Sequence, residues 1–445
     1  MVGLLSTQSS GLKTRNIKES DIHLIIAAIL WPLYASLGLE LKMIIVVYVG
    51  YLIFFKSGSS FPALAVHFSA GTLVSQFILI FSLVYSCAFF ARLIKKKVGI
   101  LFLSYLIMIT PIFFVAAVSA NSVIDAGVYL NNALSFSAFF YGCLIASQID
   151  ERHFLRVLFI LFAALVLEAL PTVDGTIRLY FLAAPVFFAL FAQWILSRGI
   201  LPRSRWLVVG FFVSLALLAS NQITPTFVVI GSCVVAMSFI ALNLRIKKAA
   251  LMKLVTMVSA AASVVITTYV MSANNAQSFH TGIENLASVN SIGGVFESAR
   301  FKIFGDRGVL WRGVWASLVS GISFFPSWQI TDIVFYTLED AEMEVTYGAH
   351  NMFLESLRYY GWFCGAISCV LIFQISIKGV AACLSLRQAS LAAVLSAGAT
   401  ALLVFGGTFG HFVFANNISL LLLALVGIGY GMARDFRPKH LVQPQ

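Results

Sequence analysis

Charge is the scarcest commodity in this chain. Of 445 residues only 11% are Asp, Glu, Lys or Arg, while 60% are apolar and the mean hydropathy is +0.95. A soluble chain carries about 25% charged residues. So few charges cannot coat the several water-soluble cores that this length would otherwise suggest. Cysteine is sparse too. The six (Cys87, Cys143, Cys233, Cys364, Cys369 and Cys383) lie in or beside apolar runs. They lack the spacing of a disulfide framework or a zinc site, and read as buried thiols. The chain has no phosphate-cradling glycine loop, no Gly-x-Ser-x-Gly elbow, no Cys-x-x-Cys and no His-Glu-x-x-His. It has no basic, aromatic-interleaved soluble face, which excludes nucleic acid as a partner despite the net charge of +11. No strand alternation lasts long enough for a barrel. The first 20 residues are polar, so no cleavable signal peptide is expected and the first apolar run stays as an anchor.

What is present is a succession of apolar runs, with forty Phe spread over them. Runs of about 17–25 residues are long enough to cross a bilayer as helices. They fall at 22–39, 71–91, 98–118, 132–149, 154–170, 179–197, 206–220, 225–243, 254–272, 359–378, 389–407 and 413–432, with a shorter one at Met43–Phe55. The expected fold class is all-α: a polytopic membrane protein of about 12 transmembrane helices with one large loop. Its parts are a tail (1–21), a first helical block of about nine helices (22–271), the loop (272–349), three last helices (350–433) and a second tail (434–445).

The loops set the orientation. Basic clusters at Arg92–Lys97, Arg198–Arg205, Arg245–Lys253, Lys378–Arg387 and Arg434–Lys439 fall on one side. With Lys13, Arg15, Lys18, Arg152 and Arg156, that side holds 21 of the 29 basic residues. An excess of Lys and Arg marks the cytoplasmic face, so both termini are expected there. Parity conflicts with this at one place. Three runs (22–39, 43–55 and 71–91) separate the basic tail from the basic Arg92–Lys97 loop. Either one run, the short Met43–Phe55, does not cross, or 13 spans put the N-terminus outside. The long stretch Ser272–Ala349 falls on the other side. It holds 8 of the 18 acidic residues, four of them at Glu339, Asp340, Glu342 and Glu344, which read as a solvated loop. Its many aromatics suggest a folded cap or interfacial helices.

Three groups of residues could carry chemistry. In Gly348-Ala-His350-Asn351-Met-Phe-Leu354-Glu355-Ser-Leu-Arg358-Tyr-Tyr-Gly361, a helix places His350, Leu354, Leu357 and Gly361 on one face. Arg358 lies near that face, deeper than His350. The imidazole can take a proton near neutral pH, and the guanidinium fork suits phosphate. The alternative is an interfacial His with a snorkelling Arg. In Gly305-Asp306-Arg307-Gly308-Val-Leu-Trp311, the residues Arg307, Trp311 and Trp315 recur at helical spacing, as either a phosphate-and-sugar contact or an interfacial anchor. Third, Asp174 and Arg178 open the 179–197 run, where charge is costly unless it faces protein or water. His23 and His67 read as structural.

The His-Asn-x-x-Leu…Gly motif at 350–361, the Arg-x-x-x-Trp at 307–311 and the Gly-Thr-Ile-Arg at 175–178 resemble the bacterial O-antigen ligase/polymerase family. The resemblance runs from about Val98 to the C-terminus. It implies a multi-pass inner-membrane glycosyltransferase with its active site on the periplasmic side. Such an enzyme moves a glycan from undecaprenyl diphosphate to an acceptor hydroxyl, inverting the anomeric centre without a metal or other cofactor. It implies His350 as the catalytic base and Arg178, Arg307 and Arg358 as diphosphate ligands. Asn351, Trp311, Glu355 and Asp174 then serve as glycan contacts or supports. Partners would be the lipid-linked glycan, membrane lipid, and chain-length regulator and flippase proteins. The polymerase is favoured over the O-antigen ligase, which transfers to lipid A-core. Leu218–Pro225 carries no Arg, and Gly361 is followed by Trp-Phe-Cys. A lipid-linked glycan transporter is the competitor of another class, disfavoured by the lack of an internal repeat.

Overall fold

The computed structural model describes residues 18–34, 36–68, 73–150, 152–157, 160, 311, 315, 318–321, 323–327, 334–338, 341–345, 351–385, 391–403 and 418–435. Its helices are α1 (Glu19–Leu30, continued by a 3-10 turn, Trp31–Leu33), α2 (Leu39–Phe55), α3 (Phe61–Phe68), α4 (Leu73–Ala88), α5 (Phe90–Lys95), α6 (Gly99–Ser119), α7 (Val123–Leu134), α8 (Ser137–Ile145), α9 (Met352–Ser385), α10 (Leu391–Ala401) and α11 (Ile418–Asp435). Gly99–Ser119 is long and apolar enough to cross a membrane, as is Met352–Ala382 of α9 when counted across its break at Gly361; Leu73–Ala88 is apolar and shorter. α6 is apolar all round. Phe102, Tyr105, Met108 and Ile112 are buried, while Ile100, Leu103, Ile107, Phe114 and Val118 are exposed on the other side. An apolar residue on an outward face is stable where the surroundings are hydrocarbon.

α11 is buried along almost its whole length between α8 and α10. Glycine is the reason it can be. A Cβ at Gly427 would collide with the Phe139 carbonyl, one at Gly142 with the Ala424 carbonyl, and one at Gly431 with Ala146 and the Cys143 carbonyl. Gly427 and Gly431 are four apart, so both open the same face of α11. Small residues at that spacing let two backbones approach where lipid offers no hydrophobic drive between helices.

One end of the bundle gathers the basic loops. Lys56, after α2, pairs with Glu19 at the start of α1 (2.9 Å), and Arg156 pairs with Asp21 (2.5 Å). Ser57 donates to Gln148 (3.2 Å). Next to Gln148, Ser147 lines a cavity with Lys95, Lys96, Lys97 and Arg434. At the same end, the Asp150 N–H donates to His153 Nδ1 (3.0 Å). Burial pushes the His153 imidazole below its ordinary value, against the upward pull of the Asp150 carboxylate. The start of α1, the end of α2, the Arg92–Lys97 turn, the end of α8 and the end of α11 therefore share one end.

This arrangement adds detail to the N-terminal segment. Met43–Phe55 is part of a well-formed 17-residue helix, α2. The apolar-run pattern does not announce α3, an eight-residue helix between the second and third runs. With α1, α2, α3 and α4 in place of three runs, the start of α1 and the Arg92–Lys97 turn lie at the same end of the bundle. Pro62 obscured α3 in the sequence. It sits at the second position of the helix, where a missing N–H is tolerated. His67 is fully buried on α3 against the Tyr34 hydroxyl, and His23 Nδ1 meets the Tyr48 hydroxyl (3.0 Å), so both histidines knit this region. Of the thiols, Cys143 and Cys364 are buried and Cys369 half-buried, but Cys87 is exposed, contrary to expectation.

The fold is helical, as the all-α reading expects, with one small exception among the described residues. Val334–Leu338 (β1) and Ala341–Val345 (β2) form an antiparallel hairpin in the large loop, with Val334 opposite Val345 and Tyr336 opposite Met343. Glu342 and Glu344, expected in a solvated loop, therefore lie in a strand. β1 (Val-Phe-Tyr-Thr-Leu) is rich in β-branched and aromatic residues, which favour a strand, whereas β2 (Ala-Glu-Met-Glu-Val) has little strand preference of its own and is held by its pairing with β1. These strands are too short to register as a barrel pattern.

Candidate functional site at the reversal of helix α9

The sequence predicts one helix descending from His350 through Gly361 into a span. The structure turns it back on itself. Gly361 has φ +70 and ψ −178, outside helical space. Beyond it, Cys369 Sγ lies 3.5 Å from the Phe353 carbonyl, and Ser368 Oγ donates to Ser356 Oγ at 3.0 Å. In a straight helix, residues 16 apart are separated by ~24 Å. Contacts between 353 and 369, and between 356 and 368, require two antiparallel limbs, Met352–Tyr360 and Trp362–Ser385, joined at Gly361.

The reversal is built into the backbone. An α-helix beginning at Trp362 has orphan N–H groups in its first turn. The loop Ser323–Ser327 supplies acceptors: the Trp362 N–H donates to the Ser323 carbonyl (3.1 Å) and the Phe363 N–H to the Phe324 carbonyl (2.9 Å). Trp315 meets Trp362 edge-on at 6.0 Å, and Phe324 and Phe325 both meet Phe363 at 5.9 Å. Tyr129, from α7, donates to the Ser327 carbonyl (3.3 Å). Trp315, Phe324 and Phe325 thus close over the turn. Trp311 is half-buried and helical, in keeping with the expected spacing of 311 and 315.

The short limb carries the polar residues. Asn351 caps it: its side-chain oxygen accepts from the Phe353 N–H (2.9 Å) and the Leu354 N–H (3.2 Å), and its carbonyl accepts from the Glu355 N–H (2.9 Å). Glu355 is 1% exposed and Arg358 9%, and Arg358 Nε donates to Glu355 Oε2 at 2.9 Å. The Arg358 guanidinium also lies 5.2 Å from the Tyr359 ring centroid. Asn351, Glu355 and Arg358 therefore lie on one short limb, Glu355 bonded to Asn351 through the backbone and to Arg358 through its carboxylate. Their order along the bundle is inverted, because the limb runs towards the turn. At the other end of the second limb, Lys378 Nζ lies over Tyr430, close to Arg434. Arg358 thus sits nearer the turn, and Asn351 nearer the basic end. Sequence reasoning expected the reverse depth because nothing in periodicity announces a change of direction at one glycine.

His350, Arg178, Arg307 and Asp174 lie outside the described residues. His350 immediately precedes the capping Asn351 in the chain. Among the described residues no group of three or more His, Cys, Asp or Glu side chains is placed to hold a metal ion. The cap itself is testable. Asn351→Ala is expected to destabilise the short limb by about 1 kcal/mol, read as a lower melting temperature in detergent, while Asn351→Asp holds it.

The described architecture defines a predominantly helical protein with at least two membrane-length helices and a broken, reversed helix near its C-terminal third. No protein-family model and no curated protein sequence matches the chain.

Proposed function

We propose that the chain is a polysaccharide polymerase of the bacterial inner membrane. It joins undecaprenyl-diphosphate-linked repeat units of an O-antigen or exopolysaccharide by inverting, metal-independent glycosyl transfer. On this reading the basic end faces the cytoplasm, about a dozen helices cross the bilayer, and the α9 reversal opens towards the periplasm. The observation that carries it is the ion pair Glu355–Arg358, almost wholly buried on a reversed half-helix. Ionisable groups in such a place are costly and mark functional sites by default. Non-helical backbone at membrane depth persists only where protein buries it or where it lines a wet cavity.

The chemistry follows from these groups. The acceptor sugar hydroxyl attacks the anomeric carbon as the bond from that carbon to the diphosphate oxygen breaks, and the electron pair leaves with undecaprenyl diphosphate. His350 takes the hydroxyl proton. Arg178, Arg307 and Arg358 face the charge that builds on the leaving group, and such fixed donors act most strongly where water is excluded. Glu355 holds Arg358 in one orientation, and Asn351, by capping the limb, holds the residue before it.

Purified protein mixed with a synthetic undecaprenyl-diphosphate-linked repeat unit is expected to give a ladder of polymer on a gel. His350→Ala is expected to slow the transfer by about 10²–10⁴-fold at unchanged protein abundance. A single transfer to lipid A-core without a ladder would replace polymerase by ligase. Transfer to neither acceptor, or a His350→Ala variant as fast as the parent, would sink the reading.

A further inference from the structure

The basic end of the bundle holds a second polar site, far from the α9 turn. A cavity of about 500 Å³ is lined by Arg92, Lys95, Lys96, Lys97, Arg434 and Asp435, with Ser147 on one wall. These residues come from the α5–α6 turn, the end of α8 and the end of α11, more than 330 positions apart in sequence between Lys96 and Asp435. A topogenic cluster needs only a short basic loop. It does not need residues so remote to converge on a shared concavity.

The cavity is built around internal contacts that leave net positive charge. Lys96 pairs with Asp435 (2.6 Å), and its carbonyl accepts from the Tyr430 hydroxyl (3.2 Å). Arg434 Nε donates to that same hydroxyl (2.9 Å). Arg92 lies 4.6 Å from the Phe89 ring centroid. Lys97 has φ +60, a left-handed conformation rare for a residue with a side chain, and it turns the chain so that the lysines border the cavity. Among the described residues, Arg92, Lys95 and Lys97 have no carboxylate partner, and all three are exposed. Among the described lining residues five cations stand against one carboxylate, a balance that calls for an anion.

We propose that this cavity binds phosphate, presented by the headgroup of an anionic glycerophospholipid from the leaflet at this end. The lipid source is favoured over free phosphate by what adjoins the cavity. Ile94 on α5 is 56% exposed, and from Ile100, three residues beyond Lys97, α6 presents Leu103, Ile107, Phe114 and Val118 outward in a stripe along its length. An acyl chain on that stripe leaves its headgroup at the cavity. The inference rests on the chain residing in a membrane and is independent of the glycosyl-transfer reading.

The test uses the full-length protein in neutral detergent. Phosphatidylglycerol, phosphatidylcholine and inorganic phosphate are titrated separately while the melting temperature is followed. Native mass spectrometry counts retained phosphatidylglycerol as a readout independent of stability. Phosphatidylglycerol alone is expected to raise the melting temperature and to remain bound. Combining Arg92→Gln, Lys95→Gln and Lys97→Gln should weaken its binding by about a hundredfold, at roughly 1 kcal/mol per basic residue. Lys96 is left intact because it anchors Asp435. Arg152→Gln, an exposed basic residue outside the cavity, should bind like the parent. Retention by the triple variant, or an equal loss in Arg152→Gln, would overturn the site in favour of a diffuse basic surface. An equal response to inorganic phosphate would overturn the lipid as its ligand.

Discussion

Gly361→Ala is expected to destabilise the protein by at least about 3 kcal/mol. Two effects add. The backbone at φ +70 and ψ −178 is glycine territory, where another residue costs about 1–3 kcal/mol. A Cβ would also stand 2.7 Å from both the Ser323 and Phe325 carbonyl oxygens. Neither oxygen can retreat freely, because the Ser323 carbonyl accepts the Trp362 N–H and the Phe324 carbonyl between them accepts the Phe363 N–H. Thermal unfolding in detergent, followed by tryptophan fluorescence, reports directly, since Trp315 and Trp362 meet at the turn. Gly321→Ala is the control: it lies in the same loop region with nothing within 4 Å, and no loss is expected. If both variants melt with the parent, the chain does not reverse at Gly361.

Arg358→Ala is the second large loss expected. It removes the guanidinium that donates to the Glu355 carboxylate, which is 1% exposed. Removing one member of a buried pair costs about 3–5 kcal/mol, whereas replacing both by apolar groups of similar size is often neutral. The double variant Glu355→Leu with Arg358→Met should therefore recover most of the stability lost by Arg358→Ala alone, a coupling that a double-mutant cycle measures. Activity separates structure from chemistry. If Arg358 steadies the leaving diphosphate, the double variant stays folded and still fails to build polymer. A double variant that folds and polymerises normally would reduce the pair to a packing device.

Much of the bundle was legible in the sequence. The apolar runs at 98–118, 359–378 and 413–432 overlap α6, the second limb of α9 and α11, because a run of 17 or more apolar residues has few other ways to satisfy its backbone. The basic loops at Arg92–Lys97 and Arg434 do share one end. That 352–360 is helical was legible too, although the pairing of Glu355 with Arg358, three residues apart on that helix, is something only the structure shows. The turn at Gly361 was not. Glycine in an apolar run signals helix packing, a kink or a turn alike, and only the Ser323 and Phe324 carbonyls, some forty residues away, decide among these. The same holds for α3, whose eight residues are too few to announce themselves, and for the hairpin at 334–345.

Composition by itself settled that this chain lives with little charge and that its helices are apolar on more than one face. That follows from each residue's own preference for oil or water. Direction and proximity were settled elsewhere. Whether a helix continues or reverses depends on which distant carbonyl reaches its N–H groups. Whether five basic side chains splay apart or ring one cavity depends on where Tyr430 and Asp435 stand on a helix more than 330 residues further on. These are relations between residues far apart in the chain, and local pattern carries no record of them.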